Sequence, residues 1–347
     1  MGMVGQMRLL VTGGAGFIGS HFVRYMLRSK DVTRIVNLDK LTYAGHLENL
    51  EGLEKDPRYT FIKGDIADAT LVEKLCPDVD AIVNFAAETH VDRSIHDAAP
   101  FLRTNVIGTQ VLLEAARKAK TARFLHISTD EVYGSISQGA ASETSILNPS
   151  SHYAASKAPS DLMVLAYPNT FESPVLITRA ANNYGPFQYP EKFLPLFITH
   201  ALTDQPLPLY GDGMNTRDWL HVEDHCAGID LVLRKGRIGE IYNIGTGVDS
   251  ANLDVVKRLL KHLNKPESLI TFVPDRPGHD RRYAMNIKKM ASELNWRTKI
   301  NFDEGFDDLI RWYENHRAWW EPLTSGSSEY KKYFARQYGQ RLTKTKK

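Results

Sequence analysis

The chain has 347 residues, of which 42% are hydrophobic and 24% charged, and its formal net charge is +2. This is the balance of an ordinary soluble globular protein with room for one large or two moderate domains. It excludes the basic field of a nucleic-acid binder, and the sequence has neither an apolar run long enough for a membrane span nor a signal-peptide pattern at its start. The two cysteines, Cys76 and Cys226, are far apart and form no CxxC or zinc pattern, which points to a reducing, cytoplasmic setting.

In chain order, Arg8–Thr12 is an apolar run ending at glycines and predicts a first buried strand of a parallel sheet. Gly13, Gly14, Gly16 and Gly19 follow, and Ser20–Arg28 predicts a helix burying Phe22, Val23, Met26 and Leu27. Arg34–Asp39 predicts a second strand that ends in an acid. Glycines here permit a tight strand-to-helix turn and close approach to a pyrophosphate, which the helix N-terminus then meets with unpaired N–H groups. Asp39 is placed to accept from the adenosine ribose hydroxyls, which favours NAD over NADP. Tyr59–Ile66 predicts a strand closed by Asp65, an acid placed to meet the adenine. Asp80–Ala87 predicts another strand, whose small terminal residues Ala86 and Ala87 let the backbone pack on a cofactor. Thr104–Ala119 predicts a long amphipathic helix, and Arg123–Ser128 the strand that delivers Thr129-Asp130-Glu131 to the carboxyl edge of the sheet. The fold class is therefore α/β, a doubly wound parallel sheet of Rossmann type with a smaller, mixed C-terminal substrate domain.

Beyond about residue 180 the composition turns richer in turns, aromatics and basic residues. Strands are predicted over Val175–Arg179, Ile241–Ile244 and Ile270–Val273, and helices over Asn252–Leu263 and Phe302–Asn315. The expected division is a cofactor domain over 1–181 with returning segments near 217–245, a substrate domain over 182–323, and a basic polar tail over 324–347. In the tail Lys and Arg oppose Glu329 alone, so it reads as a solvated or loosely packed terminus.

Tyr153 and Lys157 are spaced to share one helix face. An ammonium beside a phenol favours the phenolate, which can take a proton from a sugar hydroxyl as hydride leaves the same carbon. Adjacent carboxyls such as Asp130 and Glu131 serve as acid and base together if their surroundings push their pKa values apart. His221 and His225 have a spacing that can bind zinc, but no third ligand is evident and no metal site is expected.

At these residues the chain resembles the extended short-chain dehydrogenase/reductase family, and within it the nucleotide-sugar 4,6-dehydratases. The motifs are TGGAGFIG at Thr12–Gly19, LDKLTYAGHLENL at Leu38–Leu50, NFAAETHVDRS at Asn84–Ser94, STDEVYG at Ser128–Gly134 and YAASKAPSD at Tyr153–Asp161. They continue as NNYGPFQYPEKFLP at Asn182–Pro195, LPLYGDG at Leu207–Gly213, RDWLHVEDH at Arg217–His225 and DRPGHDRRYAMN at Asp275–Asn286. The resemblance implies a bound NAD that is recycled, with Phe17, Ile18, Lys40, Thr42, Ile66, Thr104 and Asn183 joining Gly13, Gly16, Gly19, Asp39, Asp65, Ala86, Ala87, Tyr153 and Lys157 around it. It implies that Tyr153 removes the 4-hydroxyl proton, Thr129 bonds the 4-oxygen, Glu131 takes the C5 proton and Asp130 protonates the departing 6-hydroxyl. His90, Asn182, Lys192, Phe193, Pro208, Tyr210, Arg217, Asn252, Arg276 and His279 would hold the nucleotide sugar, expected to be dTDP-glucose. It also implies a homodimer packed through the Thr104–Ala119 helix and the helix that starts near Tyr153. The chain departs from the family pattern at Thr89, at His152 beside the tyrosine, and at Ala180-Ala181; His152 in particular is placed to alter substrate fit or tyrosine acidity. A UDP-sugar 4-epimerase or decarboxylase uses the same Tyr/Lys and NAD but does not need the Asp130-Glu131 pair. A non-catalytic sugar-nucleotide-binding protein would need none of the five residues Thr129, Asp130, Glu131, Tyr153 and Lys157.

Overall fold

The computed structural model describes residues 6–344; residues 1–5 of the expected first domain and 345–347 of the expected tail lie outside the described residues. The strands, in chain order, are β1 (Met7–Thr12), β2 (Val32–Asp39), β3 (Tyr59–Lys63), β4 (Ala81–Asn84), β5 (Arg123–Thr129), β6 (Val175–Ala180), β7 (Asn182–Tyr184), β8 (Leu207–Tyr210), β9 (Thr216–His221), β10 (Ile241–Ile244), β11 (Asp249–Ala251) and β12 (Ile270–Val273). Seven of them form one sheet in the order β10-β6-β5-β4-β1-β2-β3, with every neighbouring pair parallel.

Apolar runs suit this sheet because both of its faces are covered. Leu9, Val11, Val83 and Leu125 point into a core shared with the helices Phe17–Leu27 and Val222–Lys235. Their chain neighbours Leu10, Ile82 and Phe124 point into the opposite core, under Ala69–Leu75, Thr109–Ala119 and His152–Phe171. Strand order reverses between β1 and β4, and in such sheets the crevice beyond the carboxyl ends is where ligands bind. The first turn is tight enough to require glycine: Gly13 has φ +71°, and a Cβ there would lie 2.6 Å from the Ala86 nitrogen.

The remaining strands build a smaller unit from a β11-β9-β7 sheet and a β12-β8 pair around Trp219, Leu259, Phe306, Tyr313 and Trp320. The chain returns to the large sheet through Val222–Lys235 and β10, which pairs with β6.

Several elements differ from their predicted form. The first helix begins at Phe17, not Ser20, because Phe17 and Ile18 already pack against the core. β3 stops at Lys63 because Asp65 turns the chain, its Oδ1 accepting from the Ala67 N–H at 2.9 Å. The helix predicted from Thr104 is π-helical over Leu102–Gly108 and α-helical only from Thr109. In the widened turns Asn105 bonds both the N–H and the carbonyl of Glu88, while the Asn105 carbonyl accepts from the Ser160 hydroxyl.

The largest correction concerns the tail. It is folded, with helices Ser328–Phe334 and Gln340–Lys344 flanking π-helical turns at Ala335–Gly339. Tyr330, Tyr333, Gln337 and Tyr338 are buried, and Lys331, Lys332 and Arg336 face solvent. Aromatics recur at helical spacing inside the polar composition, and that stripe anchors the segment.

Candidate active site

Thr129 closes β5 and caps the short turn Asp130–Tyr133, its Oγ1 accepting from the Glu131 N–H at 3.2 Å. The helix His152–Phe171 is capped by Ser151, whose Oγ accepts from the Ala154 N–H at 3.1 Å, and carries Tyr153 and Lys157 into the same cleft. Burial raises the Tyr153 phenol; the Glu131 charge adds to this and a hydrogen bond with Thr129 opposes it. Lys157 Nζ donates to the Ile127 carbonyl at 2.7 Å and lies 3.2 Å from His126 Nε2, and burial lowers its ammonium to about 8. The pair shares a helix face as its spacing requires, yet the lysine stem reaches the strand and bonds there instead of to the phenol.

The two carboxyls sit in different surroundings. Asp130 is 3% exposed; its Oδ1 accepts from Thr129 Oγ1 at 3.1 Å and its Oδ2 is buried without a partner. Burial, and then the Glu131 charge, hold its carboxyl well above the ordinary range. Burial also raises Glu131, but Arg276, Arg217 and Lys192 pull it back. Three cations thus favour an ionised Glu131, and that charge in turn favours a protonated Asp130.

Two clefts meet at Glu131. The first, of about 290 Å³, lies over the sheet edge, and every candidate cofactor residue from Gly13 to Asn183 lines it. Its shape and donors fit a dinucleotide. No side chain caps the helix starting at Phe17, so its first N–H groups are free for an anion. The Asp39 carboxylate, held by the Ala15 and Leu41 N–H groups at 2.9 and 2.8 Å, stands at the end of β2 where a ribose would lie. Ser128 Oγ is buried at the cleft without a partner.

The second cleft, of about 150 Å³, shares Thr89, Glu131, Asn182 and Lys192 with the first. Every candidate substrate residue lines it except Thr129, which lines the first. Lys192, Arg217 and Arg276 converge here, a cation set suited to phosphate oxygens. Lys192 Nζ donates to the Thr89 carbonyl at 2.9 Å, and the Arg217 guanidinium lies 4.2 Å from the centre of the Tyr283 ring. Arg276 pairs with Asp92 at 3.3 Å, and its Nε is buried without a partner. His279 Nδ1 is 2.6 Å from Asp275, while burial and then Arg276 lower its imidazole to about 4.

Sequence reasoning did not single out Asp92, Tyr283 or Tyr338, all of which line this cleft. Asp92 and Tyr283 lie inside quoted motifs, so their signal was present; Tyr338 lies in the segment expected to be solvated. His152 lines neither cleft: it is exposed and its Nδ1 meets the Ser94 carbonyl at 2.9 Å, away from the tyrosine's chemistry. His221 caps a helix by accepting from the Glu223 N–H, and His225 bonds Asn183 Oδ1 at 2.8 Å. Among the described residues no group of three His, Cys, Asp or Glu side chains is arranged to hold a metal ion.

A doubly wound sheet with a cleft shaped for a dinucleotide and a second, cation-lined cleft adjoining it places the chain among Rossmann-type dinucleotide-dependent enzymes. Residues 10–309 match the family model described as GDP-mannose 4,6 dehydratase, and this chain belongs to that family. It is 51% identical over 323 residues to the dTDP-glucose 4,6-dehydratase of Streptomyces niveus, covering 92% of this chain and 96% of that one. The solved structure of DesIV, a dTDP-glucose 4,6-dehydratase from Streptomyces venezuelae with NAD bound, is similar at a TM-score of 0.90 and 52% identity, covering 92% of this chain and 100% of that chain. A UDP-glucuronic acid 4-epimerase from Bacillus cereus in complex with UDP-glucuronic acid and NAD is similar at 0.84 and 32%, covering 89% and 99%.

Proposed function

We propose that this chain is a dTDP-glucose 4,6-dehydratase, a hydro-lyase that uses NAD and regenerates it. The observation that carries the reading is the Asp130–Glu131 pair beside Tyr153 in the first cleft, with Glu131 at the junction with the second. Tyr153 accepts the proton of the sugar 4-hydroxyl as C4 is oxidised, and Thr129 bonds the 4-oxygen. Lys157, one helical turn further along the same face, would supply the positive potential a phenolate needs against the burial and the Glu131 charge that raise the phenol. A ketone at C4 acidifies the C5 hydrogen, which Glu131 removes as base. Asp130, held protonated, gives its proton to the departing 6-hydroxyl, so water leaves across C5–C6. NAD, which the Gly13–Gly19 turn and Asp39 would hold, would supply hydride acceptance at C4 and hydride return at C6; with the proton restored at C5 from Glu131, the overall change is loss of water alone. Lys192, Arg217 and Arg276 take the diphosphate, His90, Asn182, Asn252 and His279 the sugar and its linkage, and Tyr210 with Phe193 and Pro208 the pyrimidine.

The epimerase and decarboxylase alternative needs Tyr153 and Lys157 but leaves the carboxyl pair without work, and the 52% identity to a dehydratase against 32% to an epimerase argues the same way. The chain acts as a homodimer. Exposed Leu102, Ile107 and Leu162, on or next to the helices Thr109–Ala119 and His152–Phe171, supply an apolar face for that contact. We place the enzyme in the cytoplasm; among the described residues no helix is long and apolar enough to cross a membrane.

The test is mass spectrometry of the protein incubated separately with dTDP-glucose, UDP-glucose and UDP-N-acetylglucosamine without added reductant. Loss of one water from dTDP-glucose alone is expected. Loss from a UDP sugar instead would keep the mechanism and change the substrate. An unchanged mass with a new C4 epimer by NMR would replace the dehydratase with the epimerase.

A further inference from the structure

One buried histidine at the cofactor cleft keeps an unused nitrogen. His225 stands in the first turn of the helix Val222–Lys235, is fully buried and lines the first cleft. The hydrogen bonds around it fix which nitrogen is unused. Asn183 Nδ2 donates to the Ala181 carbonyl at 2.9 Å, so the Asn183 atom turned to His225 Nδ1, at 2.8 Å, is its Oδ1. An amide oxygen only accepts, so His225 Nδ1 carries the proton and donates. Burial lowers the imidazole to about 3, which leaves the ring neutral and Nε2 a bare acceptor. Nε2 is itself buried and has no partner. A buried acceptor without a donor is costly, so such an atom on a residue lining a binding cleft marks the place of a donor.

Position narrows the donor. Asp39, at the end of β2, marks the adenosine end of the cleft, and the Gly13–Gly19 turn marks the pyrophosphate. His225 belongs to the opposite end. Its partner Asn183 is on β7, and the cleft wall there includes Ala180 and Ala181, at the end of β6. Ala180 pairs with Thr129 across β6 and β5, so this wall adjoins the proposed chemistry. The nicotinamide must reach this end, because hydride is taken up and returned there. The group on its ring that carries N–H donors is the carboxamide. Ala180 and Ala181 bring no hydrogen-bonding side chain to the wall, and the Asn183 amide oxygen is already engaged by His225.

We propose that His225 is a cofactor-binding residue, its Nε2 accepting from the carboxamide amino group of the nicotinamide while its Nδ1–H holds Asn183. This rests on the reading of the first cleft as the NAD site. Anchoring the carboxamide would keep the ring from turning over about its ribose bond between the outward and return hydride transfers.

The test exchanges the dinucleotide held by the full chain against an equimolar mixture of NAD and an analogue, and reads the bound ratio by mass spectrometry, with no sugar present. The 3-acetylpyridine analogue has a methyl group in place of the amino group; the thionicotinamide analogue keeps the amino group and changes the carbonyl. The parent is expected to hold NAD about 5- to 10-fold better than the acetylpyridine analogue, the size of one hydrogen bond, and to hold the thio analogue within about 2-fold of NAD. His225→Asn puts an amide nitrogen where Nδ1 stands and no atom where Nε2 stands, so it keeps the bond to Asn183 and should bring the acetylpyridine ratio to about 1. His225→Gln brings an amide oxygen to the Nε2 position and should keep the preference for NAD. A residue that only holds Asn183 would leave His225→Asn as selective as the parent; that result, or a parent without preference, would overturn the inference. If His225→Asn does not fold, the two analogues in the parent decide, and equal discrimination against both overturns the inference. A parent that turns over dTDP-glucose without preferring NAD to the acetylpyridine analogue overturns the inference and leaves the activity standing. A parent that holds no dinucleotide overturns the cofactor site and the inference together.

Discussion

Asp130 and Glu131 are chain neighbours whose carboxyls face different surroundings, and the proposed chemistry depends on that difference. Replacing Glu131 by Gln keeps the shape and removes the base. Cofactor binding should be unchanged, while water elimination and exchange of the C5 hydrogen with solvent deuterium should fall by about 10²- to 10⁴-fold. An Glu131→Gln enzyme that still exchanges C5 at the normal rate would show that another group is the base. Asp130 yields a prediction of opposite signs. Its folded pKa is raised above its unfolded value by burial and the Glu131 charge, so the stability tied to its proton is complete below the unfolded value and is lost as pH rises through the folded one. Asp130→Asn should therefore be at least as stable as the parent at pH 8. That advantage should vanish below about pH 4, where the parent carboxyl is protonated in both states. Thermal melts at the two pH values read this out, and kcat should fall at every pH. Sequence alone supplied the identity of these two acids. It could not supply their inequality, which comes from Arg276, Arg217 and Lys192 arriving from distant parts of the chain.

At the scale of the element, the helix His152–Phe171 positions Tyr153 one residue inside its own start. The cap is Ser151, whose hydroxyl accepts from the Ala154 N–H. Ser151→Ala should cost about 1 kcal/mol, lowering Tm by about 1–4 °C. Because the frayed turn carries Tyr153, kcat should drop while dTDP affinity stays the same; loss of stability with an unchanged kcat would mean that the cap does not position the tyrosine. Strands with apolar runs were legible at nearly their true limits, since β10 and β12 coincide with their predicted ranges. The π-helical stretch Leu102–Gly108 was not legible: Thr104–Ala119 has a helical pattern throughout, and only the tertiary bonds of Asn105 to Glu88 show why its first turns widen.

At the scale of the whole molecule, the proposed dimer is checked by light scattering at working concentration. The mass should be twice that of the 39.2 kDa chain. Charge placed in the apolar face, as in Leu162→Glu, should shift it toward the monomer, and a parent that is monomeric at all concentrations would remove the homodimer from the account. The two clefts also belong to this scale. Their common border at Glu131, Asn182 and Lys192 exists because the small unit packs against the sheet edge.

The sequence by itself determined the α/β class, the glycine turn with its acid, and the residues that carry the proposed chemistry. These are local signals: a short apolar run, a glycine that must take positive φ, and acids at a strand end. The tertiary structure alone decided which cations face Glu131, that Lys157 bonds β5, that His152 faces away from the site, and that the C-terminal segment covers Tyr210. Each is a contact between side chains far apart in the chain, set by how layers pack, and a polar composition hid the aromatic stripe that docks the last of them.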